Sequence, residues 1–509
     1  MTTWEEYKAI SIQTTNSEMR FFKLERGIAN ISASQFLIAS LYRAIGLNET
    51  SETEASLYAE RLFISIQNTT KLGKIFDNSQ LRKLIKGSLN FPKGSTKDKT
   101  QFLISPMISE IASFGGTMRK SQSWNSGAFI IEIISNAIET NEEFEELISA
   151  LFSALEISDD DKDNIWSLVL KSEFNNISEK LGINSSQKKI DILSLKKSYR
   201  TKNIKKALSS SNFSRTIIKD LRYLIEIEKK GQISRQQWIS LLETYFRLTM
   251  FNHIIITLNL SRSYYNVLLN ILDNGHKLMD EDSFNQFINI KPINNSTTNI
   301  FLTNETSREF INSNIQFYCL YNHFLHHLFK EFNLDISSFN EKSEIINSTN
   351  TLLNNIKDSE ELVKLFSKYR RENEKVIKEI KIPSTSLSPM WECLTYLGQK
   401  KLKTNDLKSY VPDVNFLFAA RKGLKGQPYM FELGAGVISL LTGLIFKKNE
   451  GQHFLSGLEY IKELKSYNIN LTIQDISEGQ IKVVMESLGI IIDSPDTEGG
   501  VLIVKPGWV

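Results

Sequence analysis

Through most of the first 380 residues, apolar side chains recur with helical period. Residues 32–47 alternate polar and apolar faces, and 129–138 are mostly apolar, which predicts a buried helix. An amphipathic helix is expected over 142–155. Ser158, followed by Asp159, Asp160 and Asp161, gives the N-cap and acidic first turn of another. Residues 238–258 predict a long apolar helix or a pair of helices, and 360–380 a strongly charged one.

Breaks in the pattern divide the chain. Residues 91–100 (FPKGSTKDKT) form a basic loop, Gly115 and Gly116 interrupt a helical stretch, and 291–306 read as a loop or short hairpin. Residues 382–389 (IPSTSLSP) hold two of the nine prolines and three serines, which makes them the best domain boundary. Beyond it glycines cluster at Gly423, Gly426, Gly434, Gly436, Gly443, Gly451 and Gly457, and β-branched runs appear. The expected organisation is a helical body over 1–290 (with a subdomain break near 175–195), a helical extension over 291–382, and a compact α+β domain over 390–509.

The last forty residues carry the most specific pattern. A helix is expected over 453–466 and a short helical turn over 472–476. Ser477 then stands as N-cap of a third helix, 478–488, closed by Gly489. Ile481, Val484, Met485 and Leu488 lie at helical spacing and should face the core. Strands are expected at 490–492 and 501–504, with a turn over 493–500 between them. This order of helix, strand, wing and strand resembles a winged-helix module. The resemblance covers only about residues 453–509 and implies a binding module whose third helix enters the DNA major groove. The residues qualify that implication. Glu478, Gln480, Lys482, Glu486 and Ser487 are expected on the exposed face of the third helix, and Asp493, Asp496 and Glu498 in the wing. Carboxylates there oppose phosphate, and one lysine releases little counterion. A protein-docking wedge is the alternative use of the same fold.

Composition narrows the class without naming a reaction. With 41% hydrophobic and 23% charged residues, the 509-residue chain is globular, with roughly two to four domains by length. The two cysteines, Cys319 and Cys393, suit a reducing compartment and exclude a disulfide framework or a four-cysteine zinc site. The opening residues lack a secretory signal, and the apolar run 437–446 is about half a bilayer span, so a cytoplasmic protein without a membrane partner is expected and 437–446 is read as a core helix. Rich Asn, Ile and Lys usage points to an AT-rich bacterial or phage coding sequence. A net charge of +3 does not demand nucleic acid, so local patches must decide.

Two patches qualify. Lys196, Lys197, Arg200, Lys202, Lys205, Lys206, Arg215 and Arg222 are interleaved with Tyr199, Phe213 and Tyr223, as on a nucleic-acid surface. Arg421, Lys422 and Lys425 lie between glycines in ARKGLKGQPY, where backbone N–H groups can approach an anion; the loop lacks the Gly-Lys-Ser/Thr ending of a P-loop. Solvated helices and a solvated turn are the plainer readings of both.

Candidate catalytic and metal patterns fail on spacing. Cys319, His323 and His327 share a helix face, with His326 beside them, but all three span about 12 Å. That is too far for one tetrahedral ion bonded at ~2 Å. Asp159, Asp161 and Asp163 mimic a calcium loop, yet Asn164 and Leu170 stand where Gly and Glu are needed. Arg247 and His253 match the Arg-x4-6-His spacing of small helical RNases, although on an unbroken helix they point about 120° apart. Asp413 and Glu432 fit a metal-dependent nuclease pattern except for its lysine.

The sequence therefore predicts a mainly α protein, a multi-helical body followed by a small α+β winged-helix-like domain. Its expected role is a non-enzymatic architectural or adaptor subunit of a bacterial complex that handles nucleic acid, as in DNA processing or antiviral defence. Protein subunits are the expected partners, nucleic acid a further one. No cofactor, metal or catalytic residue is assigned. A cryptic nuclease and a pure protein scaffold are the alternatives.

Overall fold

The computed structural model describes residues 37–45, 126–157, 212–275, 278–288, 307–334, 342–372 and 433–509, with gaps at 139, 470 and 495–499, and isolated residues at 109, 167–168, 171–172, 399–400, 418–419 and 430–431. Helices dominate, and a small three-stranded antiparallel sheet lies near the C-terminus.

The first three helices are α1 (Leu37–Ala44), α2 (Ser126–Ala137) and α3 (Asn141–Leu155). Gly127 lets α1 and α2 touch backbone to backbone: a Cβ there would lie 2.2 Å from the Ser40 carbonyl oxygen. Its N–H donates to Ser40 Oγ at 2.8 Å. Thr140 caps α3 by accepting from the Glu143 N–H. The far end of α3 is capped from outside, by the buried Arg235 guanidinium, which donates to the Ala154 and Leu155 carbonyls at 2.9 and 2.6 Å and pairs with Glu228 at 2.8 Å. Those are the carbonyls a helix end leaves without partners.

Next comes α4 (Asn212–Lys229), then α5 (Arg235–Asp273), opened by a Ser234–Gln237 capping box. The expected helix over 238–258 is thus one continuous helix of 39 residues, longer at both ends. It holds neither glycine nor proline, so nothing breaks it at Asn259 or Ser261, both buried. Asn259 donates to Ile255 O and to Asn314 Oδ1. The remaining body helices are α6 (Glu281–Ile288), α7 (Ser307–Glu331), α8 (Lys342–Asn355) and α9 (Ser359–Glu372). Three two-residue strands follow, β1 (Gln399–Lys400), β2 (Phe418–Ala419) and β3 (Met430–Phe431), in the order β1-β2-β3.

The C-terminal segment runs α10 (Ala435–Lys448), β4 (Phe454–Ser456), α11 (Gly457–Leu464), a 3-10 turn (Lys465–Tyr467), α12 (Ile473–Ser477), α13 (Gln480–Ser487), β5 (Ile491–Asp493) and β6 (Val501–Val504). Helix α10, buried along its apolar run, is a core helix, and no described helix is long and apolar enough to cross a membrane. Trp508 lies over Gly443, where a Cβ would sit 2.1 Å from the indole, and donates to Ser439 Oγ at 3.1 Å.

Several boundaries depart from expectation. Residues 454–456 are a strand, because Ser456 caps α11 in a box with Glu459 and so stands outside the helix in extended conformation. Ser477 ends α12 rather than capping α13. Thr472 and Asp475 form a capping box one turn earlier, and Gly479 opens α13 without a side-chain bond. The strand expected at 490–492 lies one residue later.

Two apolar cores meet on α5. One takes in α1–α4, α5 up to Leu258, Ile315 and Tyr318 of α7, and the C-terminal segment from Leu433 to Ile503. The other takes in α5 from Leu260, α6, α7 from Phe324, α8 and α9, so α7 as well as α5 enters both cores. The C-terminal segment thus packs into the same core as the N-terminal helices. The proline-serine stretch 382–389 lies outside the described residues.

Candidate interaction surface of the C-terminal segment

The register of the β4-β6-β5 sheet assigns each side chain to a face. Leu455, Ile503 and Ile491 lie opposite one another and are buried, with Val501 beside them, so this face is the inner one. Alternation then sends Phe454 and Val504, and the row Ser456, Leu502 and Ile492, to the other face. There Phe454 is 52% exposed and Ile492 50% exposed, with Leu502 and Val504 between them half-buried. Apolar residues thus dominate the solvent side of the sheet. Leu458 on α11, Val483 on α13 and Leu488 at its end are also exposed. Leu488 was expected in the core; it occupies the C-cap of α13, where the chain leaves the helix before Gly489 turns at φ +67°. Five of the seven large exposed hydrophobic side chains among the described residues lie in this segment, so the apolar surface is concentrated there.

The charged side chains of α13 are engaged within the fold. Lys482 pairs with Asp493 of β5 at 2.8 Å and lies 3.7 Å from Glu486, and the Asp493 carboxylate raises its pKa. It holds α13 to the sheet edge. Of the other basic candidates, Arg215 and Arg222 lie exposed on α4, with Lys219 between them on the same face. Arg222 is 3.3 Å from Glu143 and 3.9 Å from Glu146. Lys196, Lys197, Arg200, Lys202, Lys205, Lys206, Arg421, Lys422 and Lys425 lie outside the described residues, as do Ser158, the acidic run 159–163, Cys393, Asp413 and Glu432.

The segment is joined to the body by polar contacts that span more than two hundred residues of sequence. Tyr467 of the 3-10 turn donates its hydroxyl to Asp220 Oδ2 of α4 at 2.9 Å. Its carbonyl accepts from Asn252 Nδ2 of α5 at 3.1 Å. Lys448 lies 4.2 Å above the Tyr467 ring and donates to Ser466 Oγ. Asp220 is buried, and burial pushes its carboxyl up to about 6, against the opposing pull of Lys448, the Tyr467 hydroxyl and Lys219. Burial raises Tyr467 and lowers Lys448 in the same way.

The histidine-rich helix α7 contributes to packing. His323 Nδ1 meets the Tyr369 hydroxyl, and burial pushes its pKa down to about 3. Burial also holds His326 at about 4, with its Nδ1 lacking a hydrogen-bond partner among the described residues. Both rings are neutral at neutral pH. Among the described residues, no group of three or more His, Cys, Asp or Glu side chains is placed to hold a metal ion. Arg247 is buried and His253 packs edge-on against Phe129 at 5.6 Å, both on the one continuous helix α5. Compared with known proteins, the chain matches no family model, no curated protein and no solved structure.

Proposed function

We propose that this protein is a non-catalytic adaptor whose winged-helix-like C-terminal segment docks a protein partner through the solvent face of the β4-β6-β5 sheet. The observation that carries the reading is the concentration of exposed apolar side chains there, Phe454 and Ile492 above all. Solvent-facing apolar patches of this kind mark interaction sites. The order helix, strand, helices, strand, strand, with β6 between β4 and β5, supports the winged-helix assignment. The pairing of Lys482 with Asp493 and Glu486 argues for protein docking over groove reading, because α13 then offers little free positive charge to phosphate. Contact with nucleic acid in the assembled complex falls to the basic stretch 196–222 and to Arg421, Lys422 and Lys425.

The test is a comparison of co-purified subunits between the wild type and a Phe454→Glu, Ile492→Lys variant with an unchanged thermal midpoint. A defined partner present in stoichiometric amount with the wild type should be lost from the variant. Retention of that partner refutes the docking face. Titration with short duplex DNA and RNA at several salt concentrations separates the two contacts. Binding should weaken with salt by a slope of about −0.9 per phosphate contact on duplex DNA, and charge reversal across 196–222 should remove it while leaving the protein partner bound.

A further inference from the structure

The Asp220 carboxylate lies in the joint between the helical body and the C-terminal segment, and its surroundings suit a proton better than a charge. Among the described residues, the Tyr467 hydroxyl is its single hydrogen-bond donor, and no cation forms an ion pair with it. An ionised carboxylate offers about four acceptor positions, so one donor leaves most of its hydration unreplaced. The groups that face it can be named element by element. Tyr245 comes from α5, its hydroxyl already donated to Ile217 O at 2.9 Å. Lys448 comes from α10, its ammonium lying over the Tyr467 ring. Tyr467 comes from the 3-10 turn, with Glu463 of α11 acting on both Tyr467 and Lys448. Lys219 lies beside Asp220 on α4 itself and is exposed.

We propose that the joint between the helical body and the C-terminal segment takes up a proton at Asp220 and is tightened by it. This is independent of the docking reading. The direction follows from linkage. In the closed joint the Asp220 carboxyl titrates near 6, against 3.8 for an aspartate in water. Between those values the closed state binds the proton and an opened state does not. The stabilisation is fully present below about 3.8 and is lost as pH rises through about 6. Lys448 pulls the carboxyl the other way, toward ionisation, but less strongly than burial pushes it up.

Hydrogen exchange on the full chain tests the proposal, read at residues 465–469 and along α10 and corrected for intrinsic rates. As pH falls from 7 to 5, wild-type protection should rise, by at most about tenfold per pH unit, the limit for one proton. Asp220→Asn keeps an acceptor for Tyr467 and removes the charge. It should be protected at pH 7 at least as well as wild type and show no rise on acidification. A rise that persists in Asp220→Asn, or weaker protection than wild type at pH 7, overturns the proposal. A titration of carboxyl-labelled aspartates in the wild type needs no variant. One aspartate titrating near pH 6 is expected, and an aspartate set that titrates entirely below pH 5 refutes the assignment.

Discussion

Gly127 shows how much a single absent side chain decides. Its Cα faces the Ser40 carbonyl so closely that any Cβ must push α1 and α2 apart. Gly127→Ala should therefore destabilise the protein by about 1–3 kcal/mol, as overpacking of a closed contact does, measured by urea denaturation followed by circular dichroism. A ΔΔG near zero would mean that the helices do not meet there. Such a contact is illegible in sequence, since Gly127 stands in an unremarkable stretch and Ser40 lies 87 positions earlier. The same holds for Asp220 and Tyr467, 247 positions apart. A pattern that predicts local period carries no information about which buried hydroxyl meets which carboxylate. Lys482 was legible as a basic residue on an exposed helix, but its pairing with Asp493 depends on a strand position one residue from the expected one.

At the scale of elements, sequence signals sufficed where propensity and capping agreed. Helix α3 has an amphipathic pattern, acidic residues in its first turn and a threonine cap, and it forms where expected. Strand β4 was hidden because Phe454, Leu458 and Ile461 also suit a helical spacing; only the Ser456–Glu459 box fixes where strand becomes helix. Two such boxes, at Ser456 and Thr472, set the start of consecutive short helices. Ser456→Ala and Thr472→Ala should each cost about 1 kcal/mol, read as a lowered denaturation midpoint at constant slope. Helices of eight and five residues have little intrinsic stability, so these caps weigh more here than they would on α5.

At the scale of the molecule, the two cores define what unfolds with what. Leu444 lies in the core that the C-terminal segment shares with α1–α4, and Leu328 in the other. Leu444→Ala should lower hydrogen-exchange protection in α2 and α4 as well as in α10, with a global cost of about 2–5 kcal/mol. Leu328→Ala should act first on α6, α8 and α9. If Leu444→Ala loosens only residues 433–509, the shared core is not a cooperative unit. The mainly helical class was legible from period alone. The sharing of one core by α1–α4 and the C-terminal segment was not, because periodicity carries no information about which distant segments pack together.

Helix α5 fixes the relation of these cores in a way that counts residues. It runs unbroken through both, with the Asn259–Asn314 bond at the crossing. Each residue turns the helix by about 100° and advances it by about 1.5 Å. One residue inserted near Asn259 would leave each half of α5 intact yet turn one half by more than a quarter turn relative to the other, out of register with α7, which also enters both cores. The helix therefore works as an indexed axle. Substitutions along it are matters of packing, whereas insertions and deletions change the register in which its two halves meet the two cores.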